Sequence, residues 1–182
     1  MGKNNFDTIT DEQLVDAIRN NDHDSFKKLY CRYFKSLIHF AWYRLYSMDN
    51  ARDLVQETFY RIWINRGSLN PQKSIKAYLY RTLTNLIINY KKLHSSSNIS
   101  IENISEELKN SSSKDMELQI DLLKSLNQLP VKLRTVYELS RFDGFNYAEI
   151  AEICNISTKA VEKRMSKAFL LLRKTFSKKY FE

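Results

Sequence analysis

The strongest chemical signal in the sequence is a basic stretch near its end, directly after the segment EIAEICNIS. From Ser157 onward the acidic residues are Glu162 and Glu182, and the basic residues are Lys159, Lys163, Arg164, Lys167, Arg173, Lys174, Lys178 and Lys179. Basic groups pair with phosphates, and polar side chains near a helix N-terminus can read base edges in a DNA major groove. The stretch therefore predicts DNA binding; the alternative is a helical hairpin with a solvated basic face.

Two further sets of polar residues have helical spacing. The first is a strip of acidic, amide and aromatic groups formed by Asp53, Gln56, Glu57 and Tyr60. The second combines aromatic, amide and basic groups at Tyr78, Arg81, Thr82, Asn85, Asn89 and Lys92. Aromatic and amide side chains stack on or hydrogen-bond to unpaired bases, and cations pair with phosphates, so the second set suits a separated DNA strand. By composition alone, the first strip would be an ordinary solvated helix face.

Residues for catalysis or metal binding are not arranged in any familiar pattern. His23, His39 and His94 are isolated from one another and from the cysteines, so we expect no metal site. The three glycines cannot form a phosphate-binding loop, and the serines cluster without a base partner. We therefore predict that the chain is not an enzyme and needs no cofactor.

Composition predicts an all-α protein. The 182 residues contain three Gly and two Pro, which favours long helices with few breaks. The net charge of +8 favours a polyanionic partner, with nucleic acid ahead of an anionic membrane. No segment is long and apolar enough to predict membrane insertion, and the first residues lack a signal peptide core, so we expect a cytoplasmic protein. Cys31 and Cys154 are expected to be buried free thiols.

The first half of the chain predicts four helices. Thr10 and Gln13 form a capping box before the first, and the second begins at about Ser25. The third is expected to have Asp49 or Asn50 as its N-cap and to end at Gly67 in the left-handed conformation. Ser74 is the expected N-cap of the fourth helix, which runs to about Leu93 with leucines along its inner side.

The composition changes sharply after the fourth helix. The segment HSSSNISIENISEELKNSSSKD is rich in Ser and Asn and has too little apolar area to order itself. We predict two small helical domains, residues 1–93 and 115–182, joined by a flexible linker over residues 94–114.

The second domain predicts a helix-turn-helix. Asn146 and Glu149 form a capping box for its first helix, Asn155 lies at the turn where a left-handed backbone is needed, and Ser157 is the N-cap of the second helix. The residues expected to face inward are Ile150, Ala151, Cys154, Val161, Met165, Ala168 and Leu172.

Three blocks together resemble the sigma-70 superfamily of bacterial RNA polymerase subunits, in its small extracytoplasmic-function class. They are DLVQETF with RIW at residues 53–63, SIKAYLYRTLTNL at 74–86, and a last block with LP at 129–130, Arg134, YAEIA at 147–151 and VEKR at 161–164. Tyr78 stands where the class usually has Trp. The blocks have the order and spacing of the class and cover most of residues 22–175.

The resemblance implies a role for each surface. Asp53, Gln56, Glu57 and Tyr60 would dock onto the clamp helices of the polymerase's largest subunit. The residues implied in minus-10 recognition and single-strand DNA binding are Lys73, Ser74, Tyr78, Arg81, Asn85, Asn89 and Lys92, with the loop over residues 68–74 holding a flipped-out base. The residues implied in minus-35 recognition are Thr158, Lys159, Glu162, Lys163, Arg164, Ser166 and Lys167.

The implied function is that of a promoter-specificity subunit that binds core RNA polymerase and promoter DNA and aids DNA melting. Further implied partners are the flap of the second-largest subunit and an anti-sigma factor. Glu102, Glu106 and Glu107 in the linker would either occupy the RNA exit path or only keep the tether solvated. The alternatives are a stand-alone helix-turn-helix regulator of duplex DNA and a recombinase-like or helicase-like enzyme, for which no catalytic residues are found.

Overall fold

The computed structural model describes residues 9–94 and 124–180, with side chains up to residue 174. The chain divides into two compact units, Met1–Ser97 and Asn98–Glu182. The predicted all-α fold is confirmed. Most of the predicted linker, and the predicted start of the second domain, lie outside the described residues.

Residues 9–94 of the first unit form four α-helices and one short 3-10 helix. They are α1 (Asp11–Arg19), α2 (His23–Leu45), α3 (Met48–Ile64), the 3-10 helix (Arg66–Ser68) and α4 (Ile75–Leu93). Helices α2, α3 and α4 pack against one another, and α1 packs on α2, α4 and the 3-10 helix. The core is formed by apolar residues that recur at helical spacing, including Leu29, Leu37, Val55, Phe59, Ile62, Leu79 and Leu83.

Two of the predicted caps of the first unit are confirmed. Thr10 and Gln13 form the reciprocal hydrogen bonds of a capping box at 3.2 and 3.0 Å. The Ala77 N–H donates to Ser74 Oγ at 3.0 Å, so α4 begins where the sequence predicted. The second helix begins two residues earlier than expected, because Asp22 accepts from the N–H groups of Asp24 and Ser25.

The predicted ends of α3 are wrong. Its N-cap is Ser47, whose Oγ accepts from the Asn50 N–H at 3.3 Å, so both Asp49 and Asn50 lie inside the helix. The helix ends at Ile64, and Gly67 lies within the following 3-10 helix without a positive φ. The chain therefore tightens into 3-10 geometry where a left-handed glycine cap was expected.

The prediction of buried thiols is also wrong for one cysteine. Cys31 is exposed and Cys154 is half-buried, and both are free. Cys31 follows the buried Leu29 by two residues, which places it about 200° around the helix from that side chain. The thiol therefore points away from the core.

The second unit contains three described α-helices, preceded by helical residues 124–128. They are α5 (Val131–Arg141), α6 (Tyr147–Cys154) and α7 (Thr158–Tyr180). Helix α7 packs on both α5 and α6. One apolar cluster joins the start of the unit to α7 and consists of Leu126, Leu129, Leu133, Ala168 and Leu172. Helix α5 ends at Arg141, and Gly144 follows it with a φ of +71°.

The predicted helix-turn-helix is confirmed in its local geometry. Asn146 and Glu149 form a capping box at 3.0 Å in both directions, and Asn155 adopts the left-handed conformation with φ of +54°. Ser157 Oγ accepts from the Ala160 N–H at 3.2 Å, which caps α7 as expected. All four residues of the predicted inner stripe of α7, Val161, Met165, Ala168 and Leu172, are buried.

Candidate nucleic-acid and polymerase interfaces

The strip predicted on α3 lies on its solvent side. Asp53, Gln56 and Tyr60 are exposed, Glu57 is half-buried, and the core of the first unit lies on the opposite side of the helix. The Tyr60 side chain is 61% exposed, and Ile64, one turn further on, is 56% exposed. Large apolar side chains next to carboxylates on one exposed face are typical of a surface that binds another protein.

Glu57 is the member of the strip that already forms an ion pair, with Arg61 next to the strip. Its Oε1 lies 2.7 Å from Arg61 Nε, one helical turn away, and both side chains are partly exposed. Asp53 has no ion-pair partner among residues 9–94. The two carboxylates therefore differ, since one is locally compensated and the other offers its full charge to a partner.

Four of the residues predicted to bind single-stranded DNA line a common cavity. Lys73, Ser74, Tyr78 and Arg81 surround a space of about 200 Å³ at the start of α4. The remaining lining residues are Val15, Ser68, Leu69, Asn70 and Ile75. The cavity thus combines an apolar wall with an aromatic ring, an amide and two cationic side chains, a mixture that can hold an unstacked base next to its phosphate.

The rest of the predicted set continues along α4 beyond the cavity. Asn85, Asn89 and Lys92 are exposed and follow Tyr78 and Arg81 at helical spacing. None of the three lines the cavity. The set therefore divides into two parts. One part lines the cavity at the N-terminus of α4, and the other, which we call the α4 track, consists of the exposed residues Asn85, Asn89 and Lys92.

The loop between the 3-10 helix and α4 is held by its own hydrogen bonds. The Gln72 N–H donates to Asn70 Oδ1 at 2.9 Å, and the Lys73 N–H donates to the Asn70 carbonyl at 3.0 Å. Leu69 is buried and Ser74 caps α4. Because Asn70 Oδ1 is used by the loop, its amide NH₂ is the group that remains for a ligand in the cavity.

The predicted reading surface of α7 is exposed to solvent. Thr158, Lys159, Glu162, Lys163, Ser166 and Lys167 are all exposed, whereas Arg164 is half-buried. Ser157 fixes the start of α7, and Asn155 sets the angle between α6 and α7 through its left-handed backbone. The exposed residues share the side of α7 opposite its buried stripe, which is the arrangement of a recognition helix.

Sequence reasoning missed one part of the cavity. Val15 belongs to α1, more than fifty residues before the loop it faces across the cavity. Its apolar side chain predicted only a position in the core, and Val15 is indeed buried there, with 1% of its surface exposed. No pattern in the sequence relates α1 to the loop, because that proximity arises from the packing of α1 on α4 and the 3-10 helix.

The described residues hold neither a metal-binding cluster nor a membrane-spanning helix. Among residues 9–94 and 124–180, no group of three His, Cys, Asp or Glu side chains is arranged to hold a metal ion. Within the same ranges no helix is both long and apolar enough to span a membrane.

Two protein families match the chain, one in each unit. Sigma-70 region 2 matches residues 29–96, and Sigma-70 region 4 matches residues 119–172. The first match contains the α3 strip and most of the cavity, and the second contains the helix-turn-helix. Together the two matches cover about two thirds of the chain.

Curated proteins similar to this chain include several sigma factors. ECF RNA polymerase sigma factor SigW of Bacillus subtilis is 26% identical over 90% of this chain and 95% of its own length. RNA polymerase sigma factor YlaC of the same species is 27% identical over 85% and 94%, respectively. The ECF RNA polymerase sigma-E factor of Haemophilus influenzae is 24% identical over 88% and 92%.

Two solved structures share the fold. The structure of CnrH in complex with the cytosolic domain of CnrY has a TM-score of 0.68 at 22% identity, covering 92% of this chain and 97% of the other. The sigma factor RpoE in complex with the anti-sigma factor NepR, from Bartonella quintana, has a TM-score of 0.59 at 24% identity, covering 84% and 96%.

Proposed function

The chain belongs to the extracytoplasmic-function class of the sigma-70 family of RNA polymerase subunits, and from that premise we propose how its surfaces divide the work of a promoter-specificity subunit. The α3 strip docks the chain onto core polymerase. The α7 surface binds the minus-35 element, and the cavity with the α4 track binds the separated strand of the minus-10 element.

The observation that carries this division is the presence of three chemically different exposed surfaces on two helical units. The α3 strip is acidic and apolar, which suits a protein partner. The α7 face is basic on its exposed side, which suits duplex DNA, and the α4 face adds aromatic and amide groups that suit unpaired bases. A stand-alone regulator of duplex DNA has no use for the strip or for the cavity.

The α7 surface supports recognition of duplex DNA by a recognition helix. All five of the residues proposed to contact DNA here are exposed: Thr158, Lys159 and Glu162 near the start of α7 would contact base edges, and Lys163 and Lys167 would contact phosphates. A carboxylate among phosphates is unfavourable unless it accepts from a cytosine amino group. We therefore expect Glu162 to contribute most to the preference for a particular base sequence.

The cavity supports strand separation. Extruding one base from a duplex costs a few kcal/mol, and a pocket that holds the base offsets part of that cost. Tyr78 offers a ring for stacking, Asn70 offers an amide NH₂, and Lys73 and Arg81 offer positive charge. The exposed Asn85, Asn89 and Lys92 extend the same chemistry along the strand.

The remaining partners follow from the same proposal. Polymerase contacts are expected at the clamp helices of the largest subunit and the flap of the second-largest subunit. An anti-sigma factor is proposed as an inhibitor, since NepR is named as the anti-sigma partner of the similar RpoE. The chain would act in the cytoplasm without catalytic activity of its own, because the polymerase makes the phosphodiester bonds.

A selection experiment tests the proposal. Core bacterial polymerase with this chain is incubated with a randomised duplex library, and the bound DNA is recovered and sequenced. We expect two separated conserved elements with the holoenzyme and neither with core polymerase alone. Recovery of a palindrome by the chain without polymerase would support a stand-alone regulator instead. A sequence recovered by the holoenzyme is called the selected promoter below.

A further inference from the structure

We propose that Arg66 and Asn21 form a clamp that positions the loop over residues 67–74, and that α1 is thereby part of the apparatus for strand capture. The clamp is a direct side-chain contact, with Arg66 Nε donating to Asn21 Oδ1 at 2.6 Å across 45 residues of sequence. Arg66 opens the 3-10 helix from which the loop emerges. Its role in strand capture rests on the function proposed above, whereas the positioning of the loop does not.

The Arg66 guanidinium is held from more than one direction. Besides its bond to Asn21, it donates from Nη1 to the Trp63 carbonyl at 2.7 Å and lies over the Trp63 ring, with 4.5 Å from guanidinium carbon to ring centroid. The same ring contacts His23 at 4.5 Å and Phe26 at 5.0 Å between centroids. The guanidinium therefore joins the end of α3 to the turn between α1 and α2.

Asn21 combines a left-handed backbone with a side-chain hydrogen bond to Arg66. Its φ is +67°, in the left-handed region that L residues avoid and that Gly and Asn tolerate best. In this conformation its Oδ1 reaches Arg66 directly. The left-handed residue also closes the end of α1, since the Asp22 N–H donates to the Ala17 carbonyl at 3.1 Å. The same turn therefore ends α1 and holds the Oδ1 acceptor within reach of Arg66.

The clamp acts at the N-terminal end of the loop, next to Arg66. At the other end, Ser74 is fixed as the N-cap of α4, and Asn70 stabilises the middle through the Gln72 and Lys73 N–H groups. Five of the nine residues that line the cavity belong to this loop, and Val15 faces it from α1. A displacement of the loop relative to α1 would therefore change the shape of the cavity without touching α4.

Hydrogen exchange of the free, full-length chain tests the clamp without polymerase or DNA. The backbone N–H groups of Ser68, Leu69, Gln72 and Lys73 are hydrogen-bonded and serve as reporters of the loop. Asn21→Gly removes Oδ1 while retaining a residue that accepts a positive φ. We expect exchange of the four reporters to accelerate about tenfold, as for loss of a hydrogen bond to a charged group, with no change in the core of α3.

Three variants separate the clamp from a general effect on the fold. Asn21→Asp keeps an oxygen acceptor for Arg66 and should retain slow exchange. Arg66→Lys keeps the charge but lacks the planar fork that donates to two acceptors, so it should resemble Asn21→Gly. Asn20→Ala is the matched control, because the Asn20 amide bonds only within α1, to the Asp16 carbonyl.

The same variants are then compared in transcription from the selected promoter. Asn21→Gly should reduce run-off transcription about tenfold on duplex template and recover on a template with a pre-melted bubble, and Asn21→Asp should act like the natural chain. Unchanged exchange of the four reporters in Asn21→Gly and Arg66→Lys would overturn the clamp. Accelerated exchange with undiminished duplex transcription would overturn its role in strand capture, while Asn85→Ala, tested in parallel, reports separately on the proposed function.

Discussion

Glu57 and Arg61 are paired on the exposed face of α3, with 2.7 Å between Oε1 and Nε. Asp53, one turn earlier on the same face, has no ion-pair partner among residues 9–94. An exposed pair of this kind contributes little to stability, but it reduces the net charge that Glu57 offers to a partner. The strip therefore offers one uncompensated carboxylate and one compensated carboxylate to the partner that binds it, which we propose is core polymerase.

Asp53→Lys is expected to weaken binding to core polymerase by about tenfold or more, because it places like charge against a surface that favours a carboxylate. Glu57→Lys should also weaken binding. The affinity is measured by titrating labelled chain with core polymerase, and circular dichroism checks that helicity is intact. Asp16→Lys, an equal charge change at an exposed position of α1, is the matched control. Equal affinity for the Asp53 and Asp16 variants would refute docking through the strip.

Glu162→Ala is expected to relax the sequence preference at one position of the minus-35 element, since the residue is proposed to accept from a cytosine amino group. Lys167→Ala should instead weaken binding to all sequences and reduce the dependence of affinity on salt. Both effects are measured by repeating the library selection and a salt titration. If the consensus is the same with and without Glu162, the residue is only a solvated charge.

Asn85→Ala, or replacement of residues 69–73 by a Gly/Ser run, should reduce run-off transcription on the duplex selected promoter. The reason is that the pocket and the α4 track are proposed to hold the separated strand, which offsets the cost of melting. On the same promoter with a pre-melted bubble, much of the activity should return. Equal losses on both templates would mean that the region supports folding or docking and does not bind the single strand.

Local signals in the sequence predicted much of the helical framework. The capping boxes at Thr10 and Asn146, the Ser74 and Ser157 caps, and the left-handed Asn155 were all predictable, because each involves residues only a few positions apart. The N-cap of α3 was missed because Ser47, Asp49 and Asn50 are all good caps and only tertiary packing selects among them.

The parts of the candidate site that escaped prediction depend on distant contacts. The α3 strip and the α7 face follow from helical periodicity, which needs no knowledge of packing. Val15 at the cavity and the bond between Asn21 and Arg66 join segments far apart in sequence. The left-handed backbone of Tyr46 at the end of α2 was not predicted either, because aromatic residues rarely adopt this conformation.

Asn155→Ala is expected to destabilise the second unit by about 1 kcal/mol, because Ala pays a steric cost in the left-handed region. Asn155→Gly should cost little or nothing. Urea unfolding followed by far-ultraviolet circular dichroism measures the effect. Tryptophan fluorescence reports only the first unit, which holds both Trp42 and Trp63, and should be unchanged. Equal stability of the Ala and Gly variants would contradict the assignment of strain to this turn.

Asp22→Asn is expected to change the response of the first unit to acid. A hydrogen bond from the Ser25 hydroxyl lowers the pKa of Asp22 below its ordinary value of 3.8. The ionised side chain therefore adds stability above pH 3.8, and this is lost as the pH falls through the lower pKa of the folded state. Urea midpoints from tryptophan fluorescence should fall more steeply for the natural chain than for the variant between about pH 5 and 2. Parallel curves would contradict the prediction.

Run-off transcription with core bacterial RNA polymerase on the selected promoter tests the central claim most directly. With this chain present, we expect a discrete transcript that begins a fixed distance downstream of the minus-10 element, and none from core polymerase alone. The Asp53→Lys variant should give little transcript when polymerase is limiting, and an excess of polymerase should restore the transcript. A transcript that is equally abundant with and without the chain would contradict its assignment as the promoter-specificity subunit.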